Sequence, residues 1–208
     1  MSGLIFIVLT GGPCGGKTTL IRELLADPGW NGKIVALPEA ISLISWLGVS
    51  PAEPLFQRLM VLLQMALEDA VRVGLQEAEP RFVLCHRGSL DPLAYWLARG
   101  WKEEGFFAYT GTRREEHYRR YDAVIHLVTA ADGAPEAYRR WPDAHRPETP
   151  EEAIRLDRLL QHVWGGHPRY IRLDNKGKDW NTKSALARKR LEETWQEYGA
   201  NRNAKKGK

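Results

Sequence analysis

Short apolar runs alternate along the chain with longer segments in which apolar residues recur every three or four positions. The runs are rich in β-branched residues and short enough to be buried strands. They cover residues 4–10, 33–37, 81–86, 123–129 and 170–173. The other segments predict helices over residues 17–26, 53–77, 91–99, 113–121, 150–164 and 182–198. Strands that alternate with helices indicate a parallel sheet covered on both faces, so the predicted fold is α/β, a doubly wound parallel sheet.

Length and composition fit one compact domain. The chain has 208 residues, of which 43% are hydrophobic, so a single core can form without disulfides or metals. We expect this domain to span residues 1–200. Cys14 and Cys85 are far apart and lack the spacing of a zinc site, which favours a reducing cytoplasm. The apolar stretch at residues 4–9 is too short to span a bilayer, so no membrane insertion is expected.

The basic charge of the chain suits a polyanionic ligand, since the net charge is +4 and the pI is near 9.1. Much of the basic excess, however, lies close to the C-terminus. The residues concerned are Arg188, Lys189, Arg190, Arg202, Lys205, Lys206 and Lys208. Residues 201–208 predict a basic, flexible tail. Because no aromatic residues are interleaved with these lysines, nucleic acid binding is not expected.

The glycine-rich segment after the first strand has the spacing of a phosphate-binding loop. Its sequence GGPCGGKTT, residues 11–19, matches the pattern G-x-x-x-x-G-K-[ST] and lies between a predicted strand and a predicted helix. In such a P-loop, or Walker A motif, glycines let backbone N–H groups point at phosphate oxygens. A glycine-rich turn without a ligand is the disfavoured alternative. The residues expected to bind the nucleotide are Gly12, Pro13, Cys14, Gly15, Gly16, Lys17, Thr18 and Thr19.

Two side chains of this loop predict the chemistry of the ligand. Lys17 is expected to reach the β- and γ-phosphates of a nucleoside triphosphate. The hydroxyl of Thr18 is expected to ligate a Mg²⁺ ion that bridges the same two phosphates. We therefore expect ATP with Mg²⁺ as the ligand.

Polar residues also follow the second predicted strand. Glu39 lies at its carboxyl end, on the edge where open α/β sheets bind ligands. A carboxylate there can accept the proton of a substrate hydroxyl, which is the task of the base in a kinase. The alternatives for Glu39 are capping of the next helix and pairing with a lysine. Arg58 and Gln64, on the following helix, are expected to face either the cleft or the edge of the core.

The third predicted strand ends in His86, Arg87 and Gly88, within the segment RFVLCHRGSLDPLAYW. Together with the P-loop, the sequence PEA at residues 38–40 and the sequence YDAVIHLVTAADG at residues 121–133, this segment resembles the nucleotide-kinase-like P-loop ATPases. Among these the chain is similar to the small AAA-type ATP-binding family that includes ribosylnicotinamide kinase domains, and to a eukaryotic relative that binds GTP and phosphoinositides. The resemblance covers about residues 3–175 and implies a P-loop NTPase fold with a lid.

One position departs from the pattern of these relatives. Their third strand usually ends in Asp-Arg, where the aspartate supports Mg²⁺ and the arginine holds substrate or phosphate. Arg87 matches the arginine and is expected to act as that clamp, whereas His86 stands in place of the aspartate. Because Mg²⁺ prefers oxygen ligands, a neutral imidazole is a poor partner for it. Asp91 or Glu39 would then have to complete the metal shell.

A long segment rich in proline, arginine and aspartate, residues 131–150, predicts a lid over the phosphates. Arg139 and Arg140, and after them Arg146, are expected to neutralise transition-state charge when this lid closes. A solvated basic loop is the alternative. After the last strand, Asn175 is expected near the base. The string NKGKD, residues 175–179, misses the guanine-reading spacing by one residue, which leaves ATP and GTP both open.

Two functions fit these patterns. The first is a kinase that transfers the γ-phosphoryl group of ATP to a nucleoside-like or other hydroxyl acceptor, which Glu39, Arg87 and the lid arginines favour. The second is a nucleotide-dependent binding or regulatory protein, or a slow NTPase, which His86 and the basic tail favour. The sequence names neither the acceptor nor the oligomeric state.

Overall fold

A parallel sheet forms the centre of the protein, whose structure is a computed structural model. The structure describes residues 3–75, 81–138, 148–177 and 179–206, without the side chains of Ser45 and of residues 199–206. The strands within these ranges are β1 Leu4–Thr10, β2 Ile34–Leu37, β3 Arg81–His86, β4 Ala123–Leu127 and β5 Tyr170–Leu173. Their order is β2-β3-β1-β4-β5, and all neighbouring strands run parallel. Because β1 is central, the loop that follows it opens between the ends of β3 and β4.

Helices cover both faces of this sheet, which confirms the predicted doubly wound α/β fold. They are α1 Lys17–Ala26, α2 Ile41–Ile44, α3 Pro54–Gly74, α4 Asp91–Ala98, α5 Glu103–Thr110, α6 Arg114–Tyr118, α7 Pro150–Trp164 and α8 Trp180–Lys206. Short 3₁₀ turns lie at Pro28–Trp30, Ser45–Leu47 and Pro135–Ala137. Among the described helices, none combines the length and the apolar character that crossing a membrane would require.

Two apolar cores lie on opposite faces of the sheet, because successive strand residues point to opposite sides. From β1, Leu4, Phe6 and Val8 pack into the core that also holds apolar residues of α3, α4 and α7. The residues between them pack on the other face against α1 and α8. The continuous apolar character of β1, which predicted a strand buried on both faces, follows from this arrangement.

Some element boundaries differ from those predicted. The strand predicted over residues 123–129 ends at Leu127, because the N–H of Thr129 donates to a side chain, Asp157 Oδ1, at 3.0 Å. The sequence did not predict α2, which is a single turn, or α5. The last helix begins at Trp180 and continues to Lys206, so most of the segment that was predicted as a flexible tail has helical backbone. Its alanine, lysine and arginine residues are good helix formers, which explains the extension.

A buried polar network joins α3, α6 and the segment before α4. The hydroxyl of Tyr121 donates to Glu68 Oε1 at 2.6 Å, and the N–H of Ser89 donates to the same hydroxyl oxygen at 2.6 Å. His117 extends the network, since its Nδ1 lies 2.8 Å from Ser89 Oγ and its Nε2 lies 3.0 Å from Thr112 Oγ1. Burial of His117, together with the nearby positive charges of Arg120 and Arg114, lowers its pKa to about 4. The imidazole therefore stays neutral in the folded protein at neutral pH.

This neutral histidine predicts a specific pH dependence of stability. An unfolded histidine takes up a proton near pH 6.5, whereas folded His117 does so only near pH 4. The unfolded state thus binds more protons between these values, so stability is intact above pH 6.5 and falls as the pH drops towards 4, by about 3 kcal/mol in total. We expect His117→Gln to be less stable at pH 7 but to lose less free energy of unfolding on acidification. Urea unfolding at several pH values measures this.

His162, an exposed histidine on α7, provides the control for this measurement. His162→Gln is expected to keep the wild-type slope of stability against pH. If His117→Gln kept that slope as well, the buried imidazole would not be the group that carries the acid sensitivity.

Candidate functional site

The loop between β1 and α1 closes around the ammonium group of Lys17. Lys17 Nζ donates to the carbonyl oxygens of Gly11 at 2.8 Å and Gly12 at 2.9 Å. Gly11 has a φ of 123°, and a Cβ there would meet the carbonyl oxygen of Leu127 at 2.0 Å. Only glycine fits this position, since other residues are strained at positive φ and would clash with β4. The predicted P-loop thus has the backbone curl that its glycines suggested.

The charge of Lys17 is easily changed by its surroundings. Burial, and after it the positive charge of Arg87, lowers the pKa of Lys17 to about 7. A bound polyanion would favour the charged form again, because an opposite charge raises the pKa of a lysine. Lys17 is therefore placed to exchange two carbonyl partners for phosphate oxygens.

Asp157 of α7 anchors the same loop from the interior. Its Oδ1 accepts from the N–H of Gly12 at 2.7 Å and from the N–H of Thr129 at 3.0 Å, and lies 3.1 Å from His126 Nε2. Its Oδ2 accepts from Gln161 Nε2 at 2.8 Å. Burial raises the pKa of Asp157, but the contact with His126 and the bond from Gly12 outweigh burial and lower the pKa to about 2. The carboxylate therefore stays ionised and holds the P-loop to the end of β4.

A chain of polar side chains leads from the P-loop to the end of β2. Thr18 Oγ1 lies 2.9 Å from His86 Nε2. On the other side of the ring, His86 Nδ1 lies 3.3 Å from Glu39 Oε1, a close contact without the geometry of a hydrogen bond. Since a carboxylate only accepts, we assign the proton to Nδ1, which leaves Nε2 to accept from the Thr18 hydroxyl. The lone pairs of the Thr18 oxygen are then available to a cation.

The charges of His86 and Glu39 are set by burial and by Arg87. Burial lowers the pKa of His86 despite the neighbouring Glu39, so the imidazole is neutral at pH 7. Burial raises the pKa of Glu39, but contacts with His86 and Arg87 outweigh it and hold the pKa well below its usual range. Arg87 Nε lies 3.3 Å from Glu39 Oε1, and Arg87 itself has a φ of 78°. Glu39 is therefore a carboxylate that is fixed in place by two neighbours.

Asp91 is held by donors from three parts of the fold. Its carboxylate accepts from Thr10 Oγ1 at 3.0 Å, from Trp164 Nε1 at 2.8 Å and from Arg87 Nη1 at 3.2 Å. The side chain is buried, so these donors take up its accepting capacity. The carboxylate therefore fixes Arg87 and the start of α4, and a part for Asp91 in a metal shell stays a prediction.

The residues present fit a magnesium ion that is carried mainly by a nucleotide. Within the described residues there is no group of three histidine, cysteine, aspartate or glutamate side chains that could hold a metal ion. Mg²⁺ is commonly bound through one or two protein oxygens, substrate phosphates and water. The Thr18 hydroxyl can supply one such oxygen, while His86 Nε2 accepts the hydrogen bond of that hydroxyl.

A cavity of about 480 Å³ lies beside the P-loop. It is lined on one side by residues of the P-loop and on the others by the segments that follow β4 and β5 and by the first turn of α8. The lining residues are Cys14, Gly15, Gly16, Lys17, Thr18, Thr19, Ala130, Ala134, Glu136, Ala137, Asn175, Asp179, Trp180 and Lys183. The volume lies within the range of small-molecule sites.

Asn175 lines this cavity, but its amide is occupied by the protein. Its Nδ2 donates to the carbonyl oxygens of Thr129 and Asp132, both at 2.7 Å, and its Oδ1 accepts from Lys183 Nζ at 2.8 Å. Lys183 also donates to the carbonyl oxygens of Gly15 at 3.2 Å and Val128 at 2.6 Å. The pair therefore ties the segment after β4 to the P-loop.

Sequence reasoning missed three residues of this site. Asp157 is a charged residue on the apolar side of α7, between Leu156 and Leu160, and that misplacement was the available signal. Trp180 and Lys183 lie one turn apart at the start of α8, with no sequence pattern that links them to a loop more than 160 residues earlier. Their contacts depend on how the chain folds back.

Arg139, Arg140 and Arg146 of the predicted lid lie outside the described residues. The residues that flank them are described, and the hydroxyl of Tyr138 donates to the carbonyl oxygen of Glu148 at 2.8 Å. Thr149 then caps α7 by accepting from the N–H of Glu152 at 3.3 Å. The role of the arginines in phosphate binding stays a prediction.

A small cavity of about 20 Å³ lies where α3 and α4 meet the ends of β2 and β3. His86, Arg87 and Tyr95 line it, together with Gln57, which is 3% exposed and has no hydrogen-bond partner among the described residues. Gln64 lines it as well, with its Nε2 donating to Glu68 Oε1 at 2.9 Å. The described part of the chain thus brings an unpaired amide next to the ends of these strands.

Arg58 does not share this cavity with its neighbours on α3. Its guanidinium lies over the ring of Tyr109, 5.4 Å from the centroid, and the residue is exposed. Of the two α3 residues that were considered for the cleft, only Gln64 faces it.

The central parallel strand, the G-x-x-x-x-G-K-[ST] loop at its carboxyl end and the following helix define a P-loop nucleotide-binding protein. The comparison with protein families agrees: residues 6–183 match the family model described as AAA domain, and the chain belongs to this family. None of the curated proteins matches the chain. The family match supports the resemblance to P-loop NTPases, without singling out ribosylnicotinamide kinase domains.

Proposed function

We propose that the protein is a kinase that transfers the γ-phosphoryl group of ATP, bound with Mg²⁺, to the hydroxyl group of a small nucleoside-like or other acceptor. The observation that carries the proposal is the junction of Thr18, His86 and Glu39, with separations of 2.9 Å and 3.3 Å, at the edge of the P-loop. A loop that only binds phosphate needs no carboxylate at the end of β2, two strands away in the sheet. Transfer to a hydroxyl group does, because the hydroxyl must be oriented and must lose its proton.

In this proposal each side chain of the cleft has a separate role. Lys17 and the N–H groups of the P-loop bind the phosphates, and Thr18 contributes a ligand for the metal. A bound Mg²⁺ ion would neutralise charge on the β- and γ-phosphates. Glu39 accepts the hydrogen bond of the acceptor hydroxyl, whose proton moves to the carboxylate as the new O–P bond forms. The bond between the γ-phosphorus and the β–γ bridging oxygen breaks at the same time and releases ADP.

The low pKa of Glu39 is compatible with this role. Contacts with His86 and Arg87 hold that pKa well below its usual range, so Glu39 is a weak base that orients the hydroxyl group. Phosphoryl transfer proceeds through a loose transition state, in which positioning and charge stabilisation matter more than early proton removal.

Glu39→Gln tests this assignment. The amide keeps the shape of the side chain but cannot take a proton, so turnover should fall by about 10²–10⁴-fold. Nucleotide affinity should change by less than about threefold, because the carboxylate is not expected to bind phosphate. Product formation with a panel of nucleosides and other hydroxyl compounds gives turnover, and calorimetry gives the affinity for ATP.

An exposed carboxylate, Glu53, provides the matched control, and Glu53→Gln should leave both quantities unchanged. Equal losses of turnover and affinity in Glu39→Gln would assign Glu39 to binding. If the wild-type protein hydrolysed ATP but phosphorylated no member of the panel, the kinase proposal would fail.

A nucleotide-dependent binding protein or slow NTPase is the second candidate, and one observation favours it. Leu43, Trp46 and Leu47, which follow Glu39 on α2 and the next turn, are 46%, 88% and 61% exposed. Exposed apolar groups of this size mark interaction surfaces more often than isolated surface residues do. In this alternative the nucleotide would control the segment that follows Glu39, and the acceptor panel would give no product.

A further inference from the structure

The first turn of α8 packs directly against the P-loop. Gly16, which precedes Lys17, has a φ of 96°, and a Cβ there would meet Cζ3 of Trp180 at 2.0 Å. The six-membered ring of Trp180 therefore lies against the backbone of the loop. A side chain at position 16 would displace either the indole or the loop.

The orientation of this indole is fixed from the side of α1. Trp180 Nε1 donates to Glu23 Oε1 at 2.6 Å, and Ser184 Oγ donates to Glu23 Oε2 at 2.6 Å. The hydrogen bond holds one edge of the ring, and the contact with Gly16 holds another. A ring fixed at two edges loses little conformational freedom when a ligand binds, which favours affinity.

The ring is only half buried, and its accessible part lines the cavity of about 480 Å³ beside the P-loop. The other apolar lining comes from three small residues, Ala130, Ala134 and Ala137. Phosphates bound at the P-loop would occupy one end of this cavity. The rest of the lining, which includes Trp180, would then face the aromatic part of the nucleotide.

We propose that Trp180 is the wall on which the purine base of the bound nucleotide stacks. The proposal rests on nucleotide binding at the P-loop and adds the residue that recognises the base. Every base has a flat π-face, so stacking on an aromatic side chain contributes affinity without choosing between adenine and guanine. The alternative is that Trp180 only packs against Gly16 and shapes the loop.

Inorganic tripolyphosphate separates these two roles, because it carries the phosphates of ATP without a base. We expect Trp180→Ala to weaken ATP binding by about tenfold or more, and Trp180→Phe to retain most of the affinity. The affinity for tripolyphosphate should stay within about twofold of wild type in both variants. Calorimetric titration with each ligand in the presence of Mg²⁺ gives these dissociation constants.

Asn181→Ala is the matched control, since Asn181 is an exposed residue of the same helical turn that does not line the cavity. It should leave the affinities for ATP and tripolyphosphate unchanged. If Trp180→Ala weakened both ligands equally, the indole would act through the loop, and if it weakened neither, the base would bind elsewhere. Either result overturns the proposal. A wild-type protein that binds neither ligand would instead refute nucleotide binding itself.

Fluorescence keeps the proposal testable if Trp180→Ala does not fold. The chain has eight tryptophans, so the signal of Trp180 is the difference between wild type and Trp180→Phe. ATP should quench this difference signal, and tripolyphosphate should not. Equal quenching by both ligands, or by neither, contradicts stacking.

Discussion

Lys17→Met is expected to reduce turnover by about 10²–10³-fold, the effect of removing one preorganised positive group from a charged transition state. Nucleotide affinity should fall by about tenfold or more, because hydrogen bonds to charged groups contribute more than neutral ones. The folded protein without nucleotide should be little affected. The variant loses the bonds to Gly11 and Gly12, but it also no longer buries an ammonium whose pKa is lowered to about 7. Melting curves with and without Mg²⁺-ATP measure the effects on stability and on nucleotide binding, and an activity assay measures turnover.

Without nucleotide, the variant should have the melting temperature of the wild type. With Mg²⁺-ATP, its melting temperature should rise less than that of the wild type. Lys33→Met is the control, because Lys33 is an exposed lysine that donates to the carbonyl oxygen of Gly29 outside the cleft. It should keep the full nucleotide-dependent increase. A Lys17→Met protein that ATP stabilises as much as it stabilises the wild type would show that the loop does not bind the triphosphate in the expected way.

Asp157→Ala should have the largest effect on stability, a loss of about 3–5 kcal/mol of unfolding free energy. The substitution leaves the N–H groups of Gly12 and Thr129 without their acceptor and removes the partner of buried His126. Each buried polar group that loses its partner costs about 1–3 kcal/mol. Urea unfolding at pH 7 measures the loss.

Two variants serve as controls for this measurement. Asp157→Asn keeps an oxygen that can accept from both N–H groups, so it should lose clearly less than the alanine variant. Arg158→Ala alters the exposed neighbour on the same helix and should change stability by no more than about 0.5 kcal/mol. If Asp157→Ala were as stable as Arg158→Ala, the carboxylate would not be the anchor of the loop.

The sheet and the P-loop were predictable because their signals are local. Continuous apolar runs predicted the strands to within two residues at either end, and the spacing of glycines, lysine and threonine in residues 11–19 predicted the loop between β1 and α1. The curl of that loop follows from glycine at positions 11 and 16, where φ is positive. The residues that form each of these patterns are close together in the sequence, so the sequence alone predicts the structure that they adopt.

The junction at the end of β3 was only partly predictable. The sequence placed Glu39 and Arg87 at the same edge of the sheet, and they lie 3.3 Å apart. The sequence did not reveal that the Asp91 carboxylate accepts hydrogen bonds from Thr10, Trp164 and Arg87, because those donors come from three separate parts of the chain. Side-chain bonding of this kind is decided by packing, which a linear pattern does not encode.

Helix α7 also sets a limit on how the chain can vary in length. Asp157 holds Gly12 and Trp164 holds Asp91, and the two residues share one face of the helix because they are two turns apart. One residue inserted between them would turn the second by about 100° and pull it from its partner. Insertions before Thr149, where the helix begins, would leave that spacing intact. Natural length variation should therefore gather ahead of the helix and be excluded from its last two turns.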